Sequence, residues 1–315
     1  MLLNRARLSA RAILCLALGL GGLPLAAGTL ALKTEGPRTS GPVSVSLQNE
    51  INAAIDRGRE WLVAQQNADG SWGSNTCVRL TSLATLALAH NASPDEKLAV
   101  GKAGKWLLSP ATTNTPTAFA PETMAWRELA MQVAAPADPK RTANLLWRLR
   151  SRSATNGFTS FAVLLIREAV APMNFIYPWI QADTNSPPAF RIQTDCILHM
   201  PAGGVTPTPG ATNALVQLAS LWSAQAIPLC SNASTTRQYW ILARFINRAG
   251  GGALADAQGH VVDWRNDLAM KLVSSQTIDT KGHGGYWPVI NRPAASPTYD
   301  PIEETAFALL ALDEL

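Results

Sequence analysis

Two glutamates occupy matching places in the sequence and are the best candidates for acid–base chemistry. Glu122 directly precedes Thr123, Glu304 directly precedes Thr305, and a run rich in small and aliphatic residues follows each threonine. Glycoside hydrolysis commonly uses paired carboxylates, and two such groups at the starts of buried helices would face one rim of the fold. The alternative is that each carboxylate only offsets the exposed amide groups of a helix N-terminus.

Neighbouring residues extend this candidate site into a predicted ligand-binding mouth. Trp126, Arg127 and Glu128 follow the first glutamate on the same predicted helix, and Trp287 lies in a glycine-rich turn before the second. Glu128 beside Arg127 is either a buried ion pair or a cavity group, because a buried charge needs a partner in both cases. Aromatic side chains on apolar helices more often fill the core than bind ligands. The predicted mouth is lined by Glu122, Trp126, Arg127, Glu304 and Trp287.

One local cluster contains the residue types that bind zinc. Asp195, Cys196 and His199 lie close in sequence, and on a helix Cys196 and His199 would share one face. Packing or a disulfide is the preferred interpretation, so we predict no metal and no cofactor. Outside the N-terminal segment the cysteines are Cys77, Cys196 and Cys230, which allow at most one disulfide. A Cys196–Cys230 pair and three free thiols both stay open.

Residues 1–28 have the three-part pattern of a secretory signal peptide. Three arginines lie within residues 1–12, an apolar run covers residues 13–25, and small residues follow at 26–28. Glycines and a proline interrupt the apolar run, which favours cleavage over the alternative of an uncleaved membrane anchor. We therefore predict export to the periplasm or the extracellular space. Residues 29–46 are predicted to be a linker and residues 47–315 the folded domain.

Composition indicates a folded protein without a strong charge. Hydrophobic residues make up 47% of the 315 residues and charged residues 15%, which excludes a disordered chain. Without the three arginines of the N-terminal segment, 23 Lys and Arg face 22 Asp and Glu, a net charge of +1. This balance gives no electrostatic reason to expect nucleic acid as a partner. Membrane contact is expected only through an uncleaved N-terminal segment.

The same pattern of residues occurs twice, near the two ends of the sequence. An aromatic residue, a glutamine, a glycine and a tryptophan precede an apolar run over residues 81–88, and the glutamine, glycine and tryptophan recur before residues 305–312. Weaker copies lie at residues 102–107 and 156–162. The residues that define the repeat are Trp61, Gln66, Gly70, Trp72, Trp106, Gln276, Gly285 and Trp287.

Each repeat is predicted to be a pair of helices. The first helix is amphipathic, the turn uses glycine where positive φ or close approach is needed, and the second helix is apolar on nearly every side. Each second helix is predicted to begin with a threonine, whose hydroxyl would serve the exposed amides of the helix start. Such pairs must pack side by side to bury their apolar helices. About five or six units between residues 47 and 315 predict an all-α fold, an α/α toroid with apolar inner helices and amphipathic outer helices. The threonines are Thr81, Thr123, Thr159, Thr212 and Thr305.

The segment from residue 57 to residue 72 resembles the QW repeat of squalene-hopene and oxidosqualene cyclases. It has a basic residue, an aromatic residue, an aliphatic residue, a glutamine and then Gly-x-Trp. The last copy has five extra residues between Gln276 and Gly285, and the middle copies are degenerate. The sequence is similar more broadly to the α/α-toroid superfamily of protein prenyltransferase β subunits, complement-type thioester domains and some pectate lyases. This resemblance covers most of residues 50–315 and implies the ring of paired helices.

The motifs that give these relatives their activities are missing from the sequence. There is no D-x-D-D acid of the class II cyclases and no Cys-Gly-Glu-Gln thioester. Asp195 directly precedes Cys196, whereas the zinc motif of prenyltransferases has one residue between them. Residues 284–288, Gly-Gly-Tyr-Trp-Pro, resemble the Gly-Gly-Trp-Pro of the pectate-lyase ring, but such lyases also need an acidic calcium cluster.

The sequence therefore predicts an exported toroid that is a binding or scaffold protein for an apolar or glycan ligand. The alternative is an enzyme on the same ring. It would be either terpenoid cyclase-like or a polysaccharide lyase or glycosidase that uses Glu122 and Glu304. The resemblance alone does not decide between these functions, because activity belongs to individual sites rather than to folds.

Overall fold

The computed structural model describes residues 43–74, 77–109, 121–134, 209–225, 234–249, 254–282, 284–289 and 300–315. The side chains of residues 77, 121, 122 and 223–225 lie outside this description. Several predictions fall on residues that are not described, and they stay predictions. These are the signal peptide, most of the linker, the repeat copy at 156–162, Asp195, Cys196, His199, Cys230 and the side chains of Cys77 and Glu122.

The described residues form eight helices and two short antiparallel β-hairpins, so the predicted all-α class is confirmed for this part of the chain. In the hairpins Leu254 pairs with Val262, and Thr277 pairs with Tyr286. The elements are α1 Val45–Ala64, α2 Cys77–Ala89, α3 Pro94–Leu107, α4 Pro121–Ala134, α5 Pro209–Gln225, α6 Thr235–Arg248, β1 Leu254–Ala255, β2 Val261–Val262, α7 Trp264–Ser275, β3 Thr277–Ile278, β4 Gly285–Tyr286 and α8 Pro301–Leu312.

Four helices form an inner row. Helix α4 packs on α2, α2 packs on α8, and α8 packs on α6. Every residue of α8 from Ile302 to Leu312 is buried, and so is every residue of α2 from Thr81 to Leu88. These apolar segments have no polar face to present to water, so they are stable only inside a layer of other helices. The prediction that both segments are buried is confirmed.

Amphipathic helices cover this row from outside. Helix α1 packs on α8 and α7, and α3 packs on α2 and α4. The buried residues of α1 include Leu47, Ile51, Ala54 and Leu62, whose spacing forms one stripe along the helix. Helix α1 begins at Val45, just inside the predicted linker, because the side chain of Ser44 accepts a hydrogen bond from the amide of Leu47.

In the pair α5 and α6, the prediction that Thr212 begins an inner helix is wrong, because Thr212 lies in α5 and the inner helix is α6. Thr212 is exposed, and α5 packs with one side on hairpin β1–β2. The inner helix is α6, which is buried from Thr236 to Ile246 except at Arg237. Its three arginines gave the sequence analysis no sign of an inner helix. Arg244 is nevertheless buried, because its guanidinium group lies 2.6 Å from the carboxylate of Glu314.

The two glycine–tryptophan turns make the same contacts. The amide of Trp72 donates to the hydroxyl of Thr81 over 2.9 Å, and that of Trp287 donates to the hydroxyl of Thr305 over 3.1 Å. Each indole Nε1–H donates over 2.7 Å to a carbonyl of the preceding outer helix, at Leu62 and at Leu272. Thr81 and Thr305 are the fifth residues of α2 and α8, not the first as predicted. Their hydroxyls therefore serve the turn before the helix rather than the first amides of the helix itself.

Replacing Thr81 or Thr305 by valine tests this equivalence. Each change keeps the volume of the side chain but leaves the buried amide of a tryptophan without its acceptor. We expect either variant to lose about 1–2 kcal/mol in the free energy of unfolding, measured by urea denaturation. Thr85→Val is the control, because the buried hydroxyl of Thr85 bonds only to a carbonyl of its own helix. A loss in the control equal to that of Thr81→Val would contradict the role of the turn.

Contacts between neighbouring repeats are also equivalent. Gln66 donates to the carbonyl of Ala99 on α3 over 2.9 Å, and Gln276 donates to the carbonyl of Ala54 on α1 over 2.9 Å. Each glutamine thus joins the end of one outer helix to the next outer helix. The order of outer helices in space is therefore α7, α1, α3, so the α7–α8 repeat lies against α1 as the α1–α2 repeat lies against α3.

The tryptophans of the outer helices and two glycines of the turns also contact the neighbouring repeat. Trp61 stacks on Tyr286 with ring centroids 5.2 Å apart, while the indole of Trp106 donates to Asp69 over 3.0 Å. Gly70 and Gly284 both have positive φ, and a Cβ there would lie 2.8 Å and 2.2 Å from a backbone atom of Lys102 and Arg57, respectively. Only glycine fits both requirements, since it has no Cβ.

No described helix is long and apolar enough to cross a membrane.

Candidate functional site

The N-terminal ends of α2, α6 and α8 bring together a buried polar group of side chains, which we call the rim cluster. Its members are Arg79, Thr236, Glu303 and Glu304. The guanidinium group of Arg79 holds both carboxylate oxygens of Glu303, at 2.5 and 2.6 Å. Such a two-bond pair fixes the position of both side chains. Glu303 is only 2% exposed, whereas the side chain of Arg79 is 17% exposed, so the carboxylate is the fully buried partner of this ion pair.

Glu304 is equally buried but has a different partner. The hydroxyl of Thr236 donates to its carboxylate over 2.5 Å, which links α6 to α8. Glu122 is the second residue of α4, and its side chain lies outside the described part. The structure therefore gives no distance between Glu122 and Glu304, and their pairing stays a prediction.

An aromatic cluster lies one turn further along the inner helices. Phe307 of α8, Trp126 of α4 and Trp240 of α6 have ring centroids 5.6 to 5.9 Å apart, within the usual range for aromatic pairs. All three side chains are buried. Because Phe307 follows Glu304 by three residues, the cluster lies directly beneath the rim cluster. It joins three helices that are distant in sequence.

The other predicted mouth residues have contacts elsewhere in the fold. Arg127 donates through Nε and Nη2 to the carbonyl of Leu107, the last residue of α3, at 3.2 and 2.6 Å. Basic side chains commonly donate to the last carbonyls of a helix in this way. Trp287 is 1% exposed and fills the junction of its repeat. Glu128 is buried, which is compatible with both of its interpretations. The assignment of Arg127, Glu128 and Trp287 to a ligand-binding mouth stays a prediction.

A second polar cluster lies where α8 ends. Asp313 is 3.4 Å from Nη2 of Arg59 on α1 and 3.4 Å from Nδ1 of His90 after α2. The hydrogen bond with Asp313 raises the pKa of His90, against the effect of partial burial. Nη1 of Arg244 donates over 2.6 Å to the carboxylate of Glu314, the next residue in sequence. Helix α8 is thus held by charged groups at both ends.

Burial raises the pKa of Glu303 to about 6 from 4.5, although the charges of Arg79 and Arg237 lower it. A carboxyl whose pKa is raised on folding binds its proton more tightly in the native state. Its contribution to stability therefore grows as pH falls through 6 and is complete below 4.5. A histidine with a raised pKa acts in the same direction, since its contribution is complete below 6.5 and is lost as pH rises.

We therefore expect the free energy of unfolding to increase on mild acidification, with Glu303 contributing about 2 kcal/mol between pH 7 and pH 4.5. The measurement is chemical denaturation over this pH range for the natural protein and for Glu303→Gln, in which this contribution is absent. Parallel pH profiles for the two proteins would contradict the assignment to Glu303.

Reasoning from sequence missed Glu303, Arg79 and Thr236. A signal for the first two was present in the repeat, because Arg79 and Glu303 each stand two residues before the repeat threonine. Opposite charges at equivalent positions of neighbouring inner helices predict an ion pair once the two helices are known to be adjacent. The partnership of Thr236 with Glu304 had no such signal.

Comparisons of the chain with protein-family models, with curated proteins and with solved structures find no match. Among the residues that the structure describes, no group of three or more His, Cys, Asp or Glu is arranged to hold a metal ion. The similarity to the QW-repeat superfamily therefore stays a resemblance of motifs, and the function has to be argued from the contacts described above.

Proposed function

We propose that the protein is an exported α/α toroid that acts as a binding or scaffold protein for an apolar ligand. The observation that carries the proposal is the aromatic cluster of Trp126, Trp240 and Phe307 at the centre of the inner helices. Aromatic side chains that converge from separate helices provide an apolar surface with defined ring orientations. A glycan is the second ligand class, because sugars also stack on aromatic rings.

The toroid is supported by the equivalent contacts of the repeats. Gln276 joins α7 to α1 as Gln66 joins α1 to α3, so the same docking geometry recurs between repeats that are distant in sequence. A row of paired helices that curves until its last member meets its first is a ring. Ring closure also explains why α8 packs between α6 and α2.

A binding role is favoured over a catalytic one by the state of the acids in the rim cluster. A glycosidase needs two carboxyl groups that flank the substrate, with roughly 5 to 10 Å between them. Glu303 is clamped by Arg79 and Glu304 is bonded to Thr236, and both are buried. These contacts stabilise the junction of three helices, which is a structural task.

Ligand binding can be tested with the exported protein itself. We expect organic extraction of the purified protein to release a bound apolar compound, detected by mass spectrometry, and the apolar dye N-phenyl-1-naphthylamine to bind in competition with it. Trp240→Phe is expected to weaken dye binding about fivefold or more, since the cluster loses ring area. Trp61→Phe is the matched control, because Trp61 stacks on Tyr286 on the outer side. Binding of oligosaccharides but not of the dye would reassign the ligand to the glycan class.

One observation favours the enzyme alternative, which we retain as a second candidate. A glutamic acid with a pKa near 6, placed above an aromatic cluster, is suited to donate a proton at neutral pH. Screening for isoprenoid cyclisation and for polysaccharide cleavage would test it. Turnover that is lost in both Glu303→Gln and Glu304→Gln, with the folded state retained, would replace the binding role by catalysis.

A further inference from the structure

We propose that the exposed faces of the neighbouring outer helices α1 and α3 form a surface on which a second copy of this chain docks. The exposed charged residues of α1 are all acidic, whereas those in the last three turns of α3 are all basic. Each face is therefore complementary in charge to the other. This inference concerns the outside of the fold and does not depend on the ligand proposed above.

The charges of these two faces have no ion-pair partner within the described part of the chain. The two basic residues of α1, Arg57 and Arg59, bond to Gln276 and Asp313 and leave the exposed face of this helix without a positive charge. Opposite charges that stay unpaired on adjacent helices are available to a partner. The acids are Glu50, Asp56 and Glu60, and the lysines are Lys97, Lys102 and Lys105.

Exposed apolar side chains lie among the lysines of α3. Leu98 is exposed, and so is Leu108, which directly follows the helix. The spacing of Leu98, Gly101, Lys105 and Leu108 by three and four residues puts them on one face. No other segment of the described chain lies within 4 Å of the position that a Cβ of Gly101 would take, so this face has room for a partner's side chain. A partner would also remove the two leucines from water, which favours docking.

The two faces belong to one surface because α1 and α3 are neighbours in the outer layer. Gln66, just after α1, donates to the carbonyl of Ala99 on α3 over 2.9 Å. A two-fold axis between the two helices, perpendicular to this surface, places the α1 of each copy over the α3 of the other. Both contacts of such a dimer join acids to lysines, and no faces of like charge meet.

A second copy fits this surface better than an anionic membrane does. Exposed leucines beside lysines are also typical of a helix that lies on a membrane. The acids of α1 belong to the same surface, however, and anionic headgroups would repel them. In a dimer the same acids are attracted to the lysines of the partner. The exposed apolar area is small, so we expect a weak dimer whose association decreases as salt is added.

Two charge-reversal variants of the full chain test the docking. Lys102→Glu with Lys105→Glu makes both faces acidic, and Asp56→Lys with Glu60→Lys makes both faces largely basic. Sedimentation equilibrium should show a monomer–dimer equilibrium for the natural protein and a dissociation constant about tenfold higher for each variant alone. An equimolar mixture of the two variants should recover the natural dissociation constant, because both contacts of the mixed dimer again join opposite charges.

Lys271→Glu on α7 is the matched control for Lys102→Glu alone. It makes the same change of charge at an exposed position outside this surface, so the dissociation constant should change less than about twofold. All substituted side chains are exposed, so we expect every variant to fold, which circular dichroism verifies. Lys102→Gln, which only removes the charge, is the milder variant.

Three results would overturn the proposal. The first is a natural protein that stays monomeric at every concentration at which it is soluble. The second is dimerisation of undiminished strength in both charge-reversal variants, or no recovery in their mixture. The third is binding of phosphatidylglycerol vesicles by the natural protein without self-association, lost when Lys102 and Lys105 are reversed, which would assign the face of α3 to a membrane.

Discussion

Replacing Arg79 by methionine is expected to lower the free energy of unfolding by about 3 kcal/mol at pH 8. The guanidinium group is the two-bond partner of Glu303, whose side chain is 2% exposed. Without Arg79 a buried carboxylate remains with no counter-charge of comparable geometry. The loss should be much smaller at pH 5, because burial then drives Glu303 to its neutral form. Urea denaturation at the two pH values measures both effects.

A double-mutant cycle isolates the pair. We expect Arg79→Met combined with Glu303→Gln to be more stable at pH 8 than Arg79→Met alone, because the second change removes the unpaired charge. A matching charge change on the surface, Lys97→Met at an exposed position of α3, is expected to have an effect below about 0.5 kcal/mol. Additive losses in the double variant would show that the two side chains act independently, contrary to the bidentate geometry.

Phe307→Ala is expected to cost about 4 kcal/mol, the second of the two largest effects. The ring is fully buried and contacts Trp126 and Trp240, which belong to two other inner helices. Its removal leaves a cavity at the point where α4, α6 and α8 meet. Phe307→Leu should cost roughly a third as much, since it refills most of the volume. Leu98→Ala, at a side chain that is 61% exposed, is the control and should have little effect. A loss below about 1 kcal/mol for Phe307→Ala would mean that the cluster does not hold the inner row together.

The helical class and the buried inner helices were predictable because their signal is repeated. Two copies of the glycine–tryptophan turn and two apolar runs predicted inner helices that the structure buries over residues 81–88 and 302–312. Apolar helices leave few alternatives for packing. Helix α6 escaped the prediction because its burial depends on partners such as Glu314, which neutralises Arg244 from 70 residues away. The sequence around Arg244 does not indicate that Glu314 will be its partner.

The candidate site was predictable only in part, for the same physical reason. Glu304 was singled out from its place before a helix, and it does lie at the junction of inner helices. Its neighbour Glu303 has the perturbed pKa, and this depends on burial by elements that pattern alone does not place. Arg127 was assigned to the mouth from its helix position, and its hydrogen bond to the carbonyl of Leu107 at the end of α3 could not be inferred from that position. Long charged side chains can reach several partners, so the packing of the tertiary structure decides which partner they bind.

The position of α8 between α2 and α6 constrains how the protein is made. Of the described helices α8 is the last to be synthesised, yet it completes the inner row beside the second. A chain still attached to the ribosome exposes the apolar faces of α2 and α6 until residues 301–312 have emerged, so the inner row cannot be completed before then. Contacts between such distant parts of a chain also slow folding. Truncation before residue 301 should therefore produce aggregation rather than a smaller soluble domain.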